Sequence, residues 1–303
     1  MPFVPVAPPQ AVPMFSGFDY VTVDPYRRRV YVAHTGSQAL LIVDADSGKV
    51  VAQVRVGPLH GVAVDPRSGH VFTGDGDARS VSEIDPVTAK VVRSVDVPGS
   101  VDAIAFDPAT RRIYADEDDG TQIFVIDSVT FTQTATVKLP GHKPEYLAVD
   151  PETSDLYQNI SDLGEFVVVD GKRLEVKKTV DTAEVGANHP LQYDPAYGAI
   201  VVGGTKGLLE TFDAQGRKLG SAEIQERVDQ CDLDPNLHIV ACAGGGTLTF
   251  VKIAADGKLS VIGKVAVPRG VHTLALDPIA QRAWIVWNDR DAGDFVQAWS
   301  YGP

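Results

Sequence analysis

Short apolar runs recur along the chain at a near-constant interval, and each ends in Asp-Pro: YVTVDP, GVAVDP, AIAFDP, YLAVDP, PLQYDP, QCDLDP and TLALDP. The aspartates are Asp24, Asp65, Asp107, Asp150, Asp194, Asp234 and Asp277, spaced 41, 42, 43, 44, 40 and 43 residues apart. Asp and Pro make this pair a turn signal, because the carboxylate accepts backbone N–H groups and the pyrrolidine presets φ. A further pair, Asp85-Pro86, falls out of phase at the end of a different strand. Within the second repeat, HGVAVDP, HVFTGDG, SVSEIDP and KVVRSVDV read as successive strands with period-2 or continuous apolar patterning. Helical spacing is nearly absent. Four strands per ~42 residues describe a propeller blade, and seven repeats predict an all-β, seven-bladed propeller.

The ends of the chain bear on closure. Only 26 residues follow Asp277, room for AWIVWND and DFVQAWSY but not for a fourth strand. The segment from Pro2 to Met14 is therefore expected to supply the outer strand of the last blade and remove an exposed edge. Residues 1–303 then form one domain, with 1–16 as its closing segment.

VYVAHTGSQALLIVDADSGKVVAQVRVG and IYADEDDGTQIFVIDSVTFTQTATVKLP resemble the YVTN-type β-propeller repeat. Repeats five and six depart from it, with Gln192 and Asp232 where Ala63, Ala105, Ala148 and Ala275 stand in others. The resemblance implies the fold. It leaves function to the site, since such families include binding scaffolds, surface proteins and enzymes.

Composition removes several classes. The 303 residues are 44% hydrophobic, which excludes disorder, and two cysteines exclude a disulfide scaffold. No apolar run approaches the ~20 residues of a helical membrane crossing. A net charge of −13 repels phosphate backbones, so no nucleic-acid partner is expected. The first Lys or Arg is Arg27, and the proline-rich start does not suit an export signal. The chain reads as cytoplasmic or as an exported form whose leader has been removed.

Candidate chemistry sits five residues before each Asp of the repeat: Asp19, His60, Asp102, Glu145, His189, Asp229 and His272. All seven are ionisable, although charged residues and His make up only about a quarter of the chain. Up-down counting places this column at the entry to each innermost strand, on the face opposite the Asp-Pro turns. Every His lies between two carboxylates around the ring. Such a ring, with neutral imidazoles, carries a large negative potential that calls for a cation.

His60, His189 and His272 are read as ligands of a divalent transition metal (Zn, Fe, Cu or Ni). Asp19, Asp102, Glu145 and Asp229 are read as orienting or general-base groups. The resulting expectation is a metal-dependent enzyme acting on a small polar molecule, of hydrolase, lyase or copper/iron redox type. The alternative is a non-catalytic binding or interaction scaffold using the loop face.

Elsewhere, the acidic loops GDGD (74–77) and DEDDG (116–120) read as solvated turns rather than calcium sites. His34 reads as a surface loop residue, and His142 as a possible neighbour of the mouth. His70 and His238 are read as structural groups of the far face. Cys231 and Cys242 are read as reduced core residues, and Trp284, Trp287 and Trp299 as packing groups.

Overall fold

The computed structural model describes residues 3–12 and 17–302. Seven antiparallel sheets follow one another along the chain. Blade 1 comprises Val21–Asp24, Arg29–His34, Ala39–Asp44 and Val50–Arg55. Blades 2 to 6 repeat this order, beginning at Leu59, Val101, Pro144, Asn188 and Gln230. Blade 7 contributes Leu274–Asp277, Arg282–Asp289 and Gly293–Ser300. On its outer edge Val4–Pro5 and Gln10–Val12 pair antiparallel with Gly293–Ser300. Residues 1–2 and 13–16 of the expected closing segment lie outside the described residues. Phe3 stacks on Phe250 of blade 6 at 4.4 Å between ring centroids.

Burial explains the strand patterns. Second and third strands are covered on both faces by neighbouring blades; Ala39–Asp44 (ALLIVD) accordingly reads as a nearly continuous apolar run, and Val71–Asp75 is buried throughout although it carries Thr73 and Asp75. Outer strands alternate, as in Thr132–Lys138, because only alternate side chains face a neighbouring blade. Among the described residues the core is divided into seven clusters, one at each seam between adjacent blades. Trp284 is buried at the blade 7–blade 1 seam and Trp287 at the blade 6–blade 7 seam, where Trp299 packs partly buried.

The Asp of the repeat has two structural uses. Its Oδ1 caps the turn, as Asp24 does for the N–H groups of Tyr26 and Arg27 at 3.1 and 3.0 Å. In Asp150, Asp194, Asp234 and Asp277 the other oxygen also meets a side chain of a neighbouring blade. Arg28 donates to Asp277 at 2.6 Å, Tyr301 to Asp234 at 2.7 Å, and the His238 ring lies 2.7 Å from Asp194. His70 is held within its own blade by Glu83, at 2.6 Å.

Two sequence expectations are corrected. Cys231 and Cys242 form a disulfide. They are directly opposed in the ladder between Gln230–Asp234 and Ile239–Gly244, which brings their side chains together on one face. His34 is fully buried rather than on the surface. Its Nδ1 lies 2.7 Å from Ser37 Oγ and its Nε2 2.5 Å from Asp294 of blade 7, and Phe18 stacks on the ring.

Candidate functional site at the channel mouth

The seven ionisable residues stand where each chain segment enters its innermost strand, and in four blades that entry is a β-bulge. His60–Gly61, Asp102–Ala103, Glu145–Tyr146 and His189–Pro190 are the register irregularities of the inner ladders. In each, two residues oppose a single partner, which turns the first side chain away from the pleat. Gly61 also lets the strands converge, since a Cβ there would lie 2.5 Å from the Asp102 carbonyl oxygen.

Two hydrogen-bonded arcs result. In the first, His60 Nδ1 lies 2.6 Å from Asp19 and 3.7 Å from Asp102. In the second, His189 Nε2 lies 2.9 Å from Glu145 and 3.4 Å from Asp229, whose other oxygen is 2.7 Å from His272 Nδ1. The arcs face each other closely enough for Asp102 to act electrostatically on His189, and Asp19 on His272. Tyr20 and Tyr146 cross the channel beneath them, with ring centroids 5.6 Å apart, and Tyr20 Oη donates to Asp102 at 3.4 Å.

The three imidazoles do not form one centre. Among the described residues, the group with one donor atom each within 4.8 Å of one another is Asp19, His60 and Asp102. His189 and His272 are engaged by carboxylates in the other arc. Nor are the imidazoles simply neutral. Burial depresses the His189 pKa, but the Glu145 hydrogen bond and the charges of Glu145, Asp229 and Asp102 outweigh it and hold the pKa at about 9. His272 is raised by the same opposition, burial against its bond to Asp229. Burial raises Asp229, but His272 and the two imidazolium charges bring it below the usual carboxylate range.

The second arc is therefore balanced, two carboxylates against two imidazoles, whereas the first is not. His60 faces Asp19 and Asp102, and behind Asp102 lies Asp116, fully buried, accepting from Ala103 N at 2.7 Å and Gln158 Nε2 at 3.0 Å. Burial and then the neighbouring carboxylates push Asp102 and Asp116 well above the usual range. Asp118 is raised by burial and by Asp119. Tyr20 and Tyr146 are absent from the sequence expectations, and Asp116 figures there only as part of the solvated DEDDG turn. The only signals were their places one residue beyond the ring column and at the head of the DEDDG loop.

The acidic loops are not simply solvated. Asp116 is enclosed, and Asp75 is buried with Thr73, Ser80 and Ser82 donating to it. His142 is exposed, and its backbone N–H donates to Asp162.

Beside the second arc opens a cavity of about 660 Å³, lined by Glu145, His189, Asp229 and His272 together with Lys143 and Arg227. That volume lies within the range of small-molecule sites. Among the described residues no helix is long and apolar enough to cross a membrane.

No family model matches the chain, and no curated protein matches it. Solved structures do. Hydrazine synthase of Kuenenia stuttgartiensis superposes with a TM-score of 0.80 at 15% identity, covering 93% of this chain and 95% of that one. A chain of the mitotic checkpoint complex crystal structure gives a TM-score of 0.84 at 15% identity, covering 99% of this chain and 92% of that one. At such identity the likeness shows the fold alone, a seven-bladed β-propeller.

Proposed function

We propose that the protein is a metal-dependent enzyme. In this reading a divalent transition ion is held by Asp19, His60 and Asp102, and a small polar molecule is bound in the adjoining cavity. The observation that carries the reading is the convergence of those three donor groups within 4.8 Å, in the arc that sets two carboxylates against one imidazole. One imidazole and two carboxylates make a mixed N/O donor set with coordination positions to spare, which suits Zn or Fe. Bound there, the ion would activate water or polarise a substrate oxygen.

The remaining residues fit proton-transfer chemistry. His189, held as imidazolium between Glu145 and Asp229, is a proton donor at neutral pH. Asp229 holds His272 in orientation on the same cavity wall. Lys143 and Arg227 line that cavity and favour a ligand with anionic or carbonyl oxygens. Two proton-carrying pairs beside a Lewis-acid site favour hydrolysis or elimination over redox chemistry.

The test is metal content of tag-free protein purified without added metal, followed by Zn²⁺ titration of four variants. Asp19→Asn and His60→Ala should each weaken binding by about 100-fold or more, because each removes a ligand outright. His189→Ala and His272→Ala should retain the ion and lose turnover. Equal metal loss in all three His variants would return the ion to a three-imidazole centre. A folded wild type without measurable affinity would leave a non-catalytic scaffold.

A further inference from the structure

A second cavity lies away from the channel, in the groove between blades 1 and 2. It measures about 560 Å³ and is lined by Arg27, Arg29, Tyr31, Val51, Pro86 and Val87, among others. Two other seams supply the contrast. At the blade 3–blade 4 seam, Arg112 and Tyr114 both donate to the carbonyl of Gly171, the residue after the turn aspartate Asp170. The turn sits close because residue 171 is glycine: a Cβ there would lie 1.7 Å from the Ser154 carbonyl oxygen. At the blade 7–blade 1 seam, Arg282 likewise donates to the Ala45 carbonyl at 2.8 Å.

Blade 1 carries the same pair, Arg29 and Tyr31, at the same ladder positions. The turn it faces, however, is Asp85-Pro86, the out-of-phase pair of the sequence. Neither Arg29 nor Tyr31 donates to the Pro86 carbonyl. Arg29 turns instead to Asp44 at 2.7 Å and to the Arg28 carbonyl, leaving its Nε and Nη2 without a protein partner among the described residues.

Tyr31 is fully buried, and its hydroxyl has no hydrogen-bond partner among the described residues. A buried unpaired hydroxyl costs about 1–3 kcal/mol and needs a reason. The groove supplies the rest of a ligand's requirements. Val87 is 90% and Val51 55% exposed on its walls. Arg27 and Arg29, of the chain's one run of three consecutive basic residues, line the groove, paired on one side with Asp24 and Asp44. The Arg29 and Arg27 charges act on the Tyr31 phenol, which burial keeps protonated and hence a donor.

We propose that this groove binds a small amphipathic organic anion. Its carboxylate lies between the Tyr31 hydroxyl and the Arg29 guanidinium, and its apolar body lies on Val51 and Val87. A planar carboxylate matches the guanidinium fork and takes the phenolic proton as a further hydrogen bond. The site is separate from the channel mouth and does not depend on the function proposed for it.

The test is calorimetric titration of the full chain with octanoate, octylammonium and acetate. Octanoate should bind saturably at one site, with a Kd of about 1 mM or tighter and at least about tenfold ahead of the other two. Tyr31→Phe should weaken octanoate by about tenfold while leaving Tm equal or higher, since it removes an unpaired buried hydroxyl. Val87→Glu, at an exposed position where folding is not in question, should abolish binding.

Comparable affinity for octylammonium or acetate, no saturable octanoate binding, or wild-type affinity in either variant overturns the assignment. So does loss of octanoate binding in His60→Ala, which would move the anion to the channel mouth.

Discussion

Glu145→Gln isolates the interaction that defines the second arc. Glu145 lies 2.9 Å from His189 Nε2 and is the leading charge opposing the effect of burial on that ring. A rise from 6.5 to about 9 corresponds to about 3 kcal/mol of preference for the imidazolium, at 1.36 kcal/mol per pH unit. Asp229, 3.4 Å away, and the more distant Asp102 hold part of that preference. Removing the Glu145 charge should therefore weaken it by about 2 kcal/mol and bring the His189 pKa down to about 7.5.

Because the folded-state pKa is the higher one, this stabilisation is complete below pH 6.5. It fades as pH rises through about 9 and is gone above that. Denaturation of the two proteins should differ by about 2 kcal/mol at pH 6 and converge by pH 10. Heteronuclear NMR of the imidazole resonances gives the pKa directly. A His189 that still titrates near 9 in Glu145→Gln, or a stability difference that does not change with pH, would refute the pairing. The assignment of His189 as the proton donor would go with it.

Three further outcomes follow from the same geometry. His60 is raised by its bond to Asp19, and Asp102 by burial and its acidic neighbours, so an ion bound there must displace protons. Zn²⁺ affinity should rise by about tenfold per pH unit for each proton released, read by calorimetry in buffers of different ionisation enthalpy; an affinity that is flat with pH refutes it. Cys231→Ala/Cys242→Ala opens a crosslink between residues 11 apart and should cost about 3 kcal/mol in urea denaturation, whereas unchanged stability would mean the bond constrains nothing. Deleting residues 1–12 uncovers the edge of Gly293–Ser300 and removes Phe3 from Phe250, which should cost about 3 kcal/mol and produce concentration-dependent association in size-exclusion chromatography. A monomeric truncation with the parental Tm would show that the outer strands contribute little.

How far this molecule can be read from its sequence depends on whether a feature is stated once per blade or once per pair of blades. The turn aspartates are visible because each meets a local need, capping its own turn, and so recurs in all seven repeats. The ring column is visible for the same reason: strand entry fixes a radial position, and counting recovers it. The division of that ring into two arcs is not visible, because it depends on bulges, and a bulge is a backbone offset that leaves residue spacing unchanged. The disulfide hangs on register in a similar way; a one-residue slip between Gln230–Asp234 and Ile239–Gly244 would put the two sulfurs on opposite faces.

Seam chemistry is harder still. His34 meets Asp294 260 residues away, and Asp116 is enclosed by Gln158 of the next blade. Each partnership joins different repeats, so no pattern within one repeat announces it. The groove between blades 1 and 2 is an instructive intermediate. Pro86 was conspicuous in the sequence only as an exception to the period. Its consequence emerges when blade 1 is set against the seam where glycine fills the same place. In a repeat protein a departure from the repeat is thus a structural statement about one seam, and the intact seams are the control that gives it meaning.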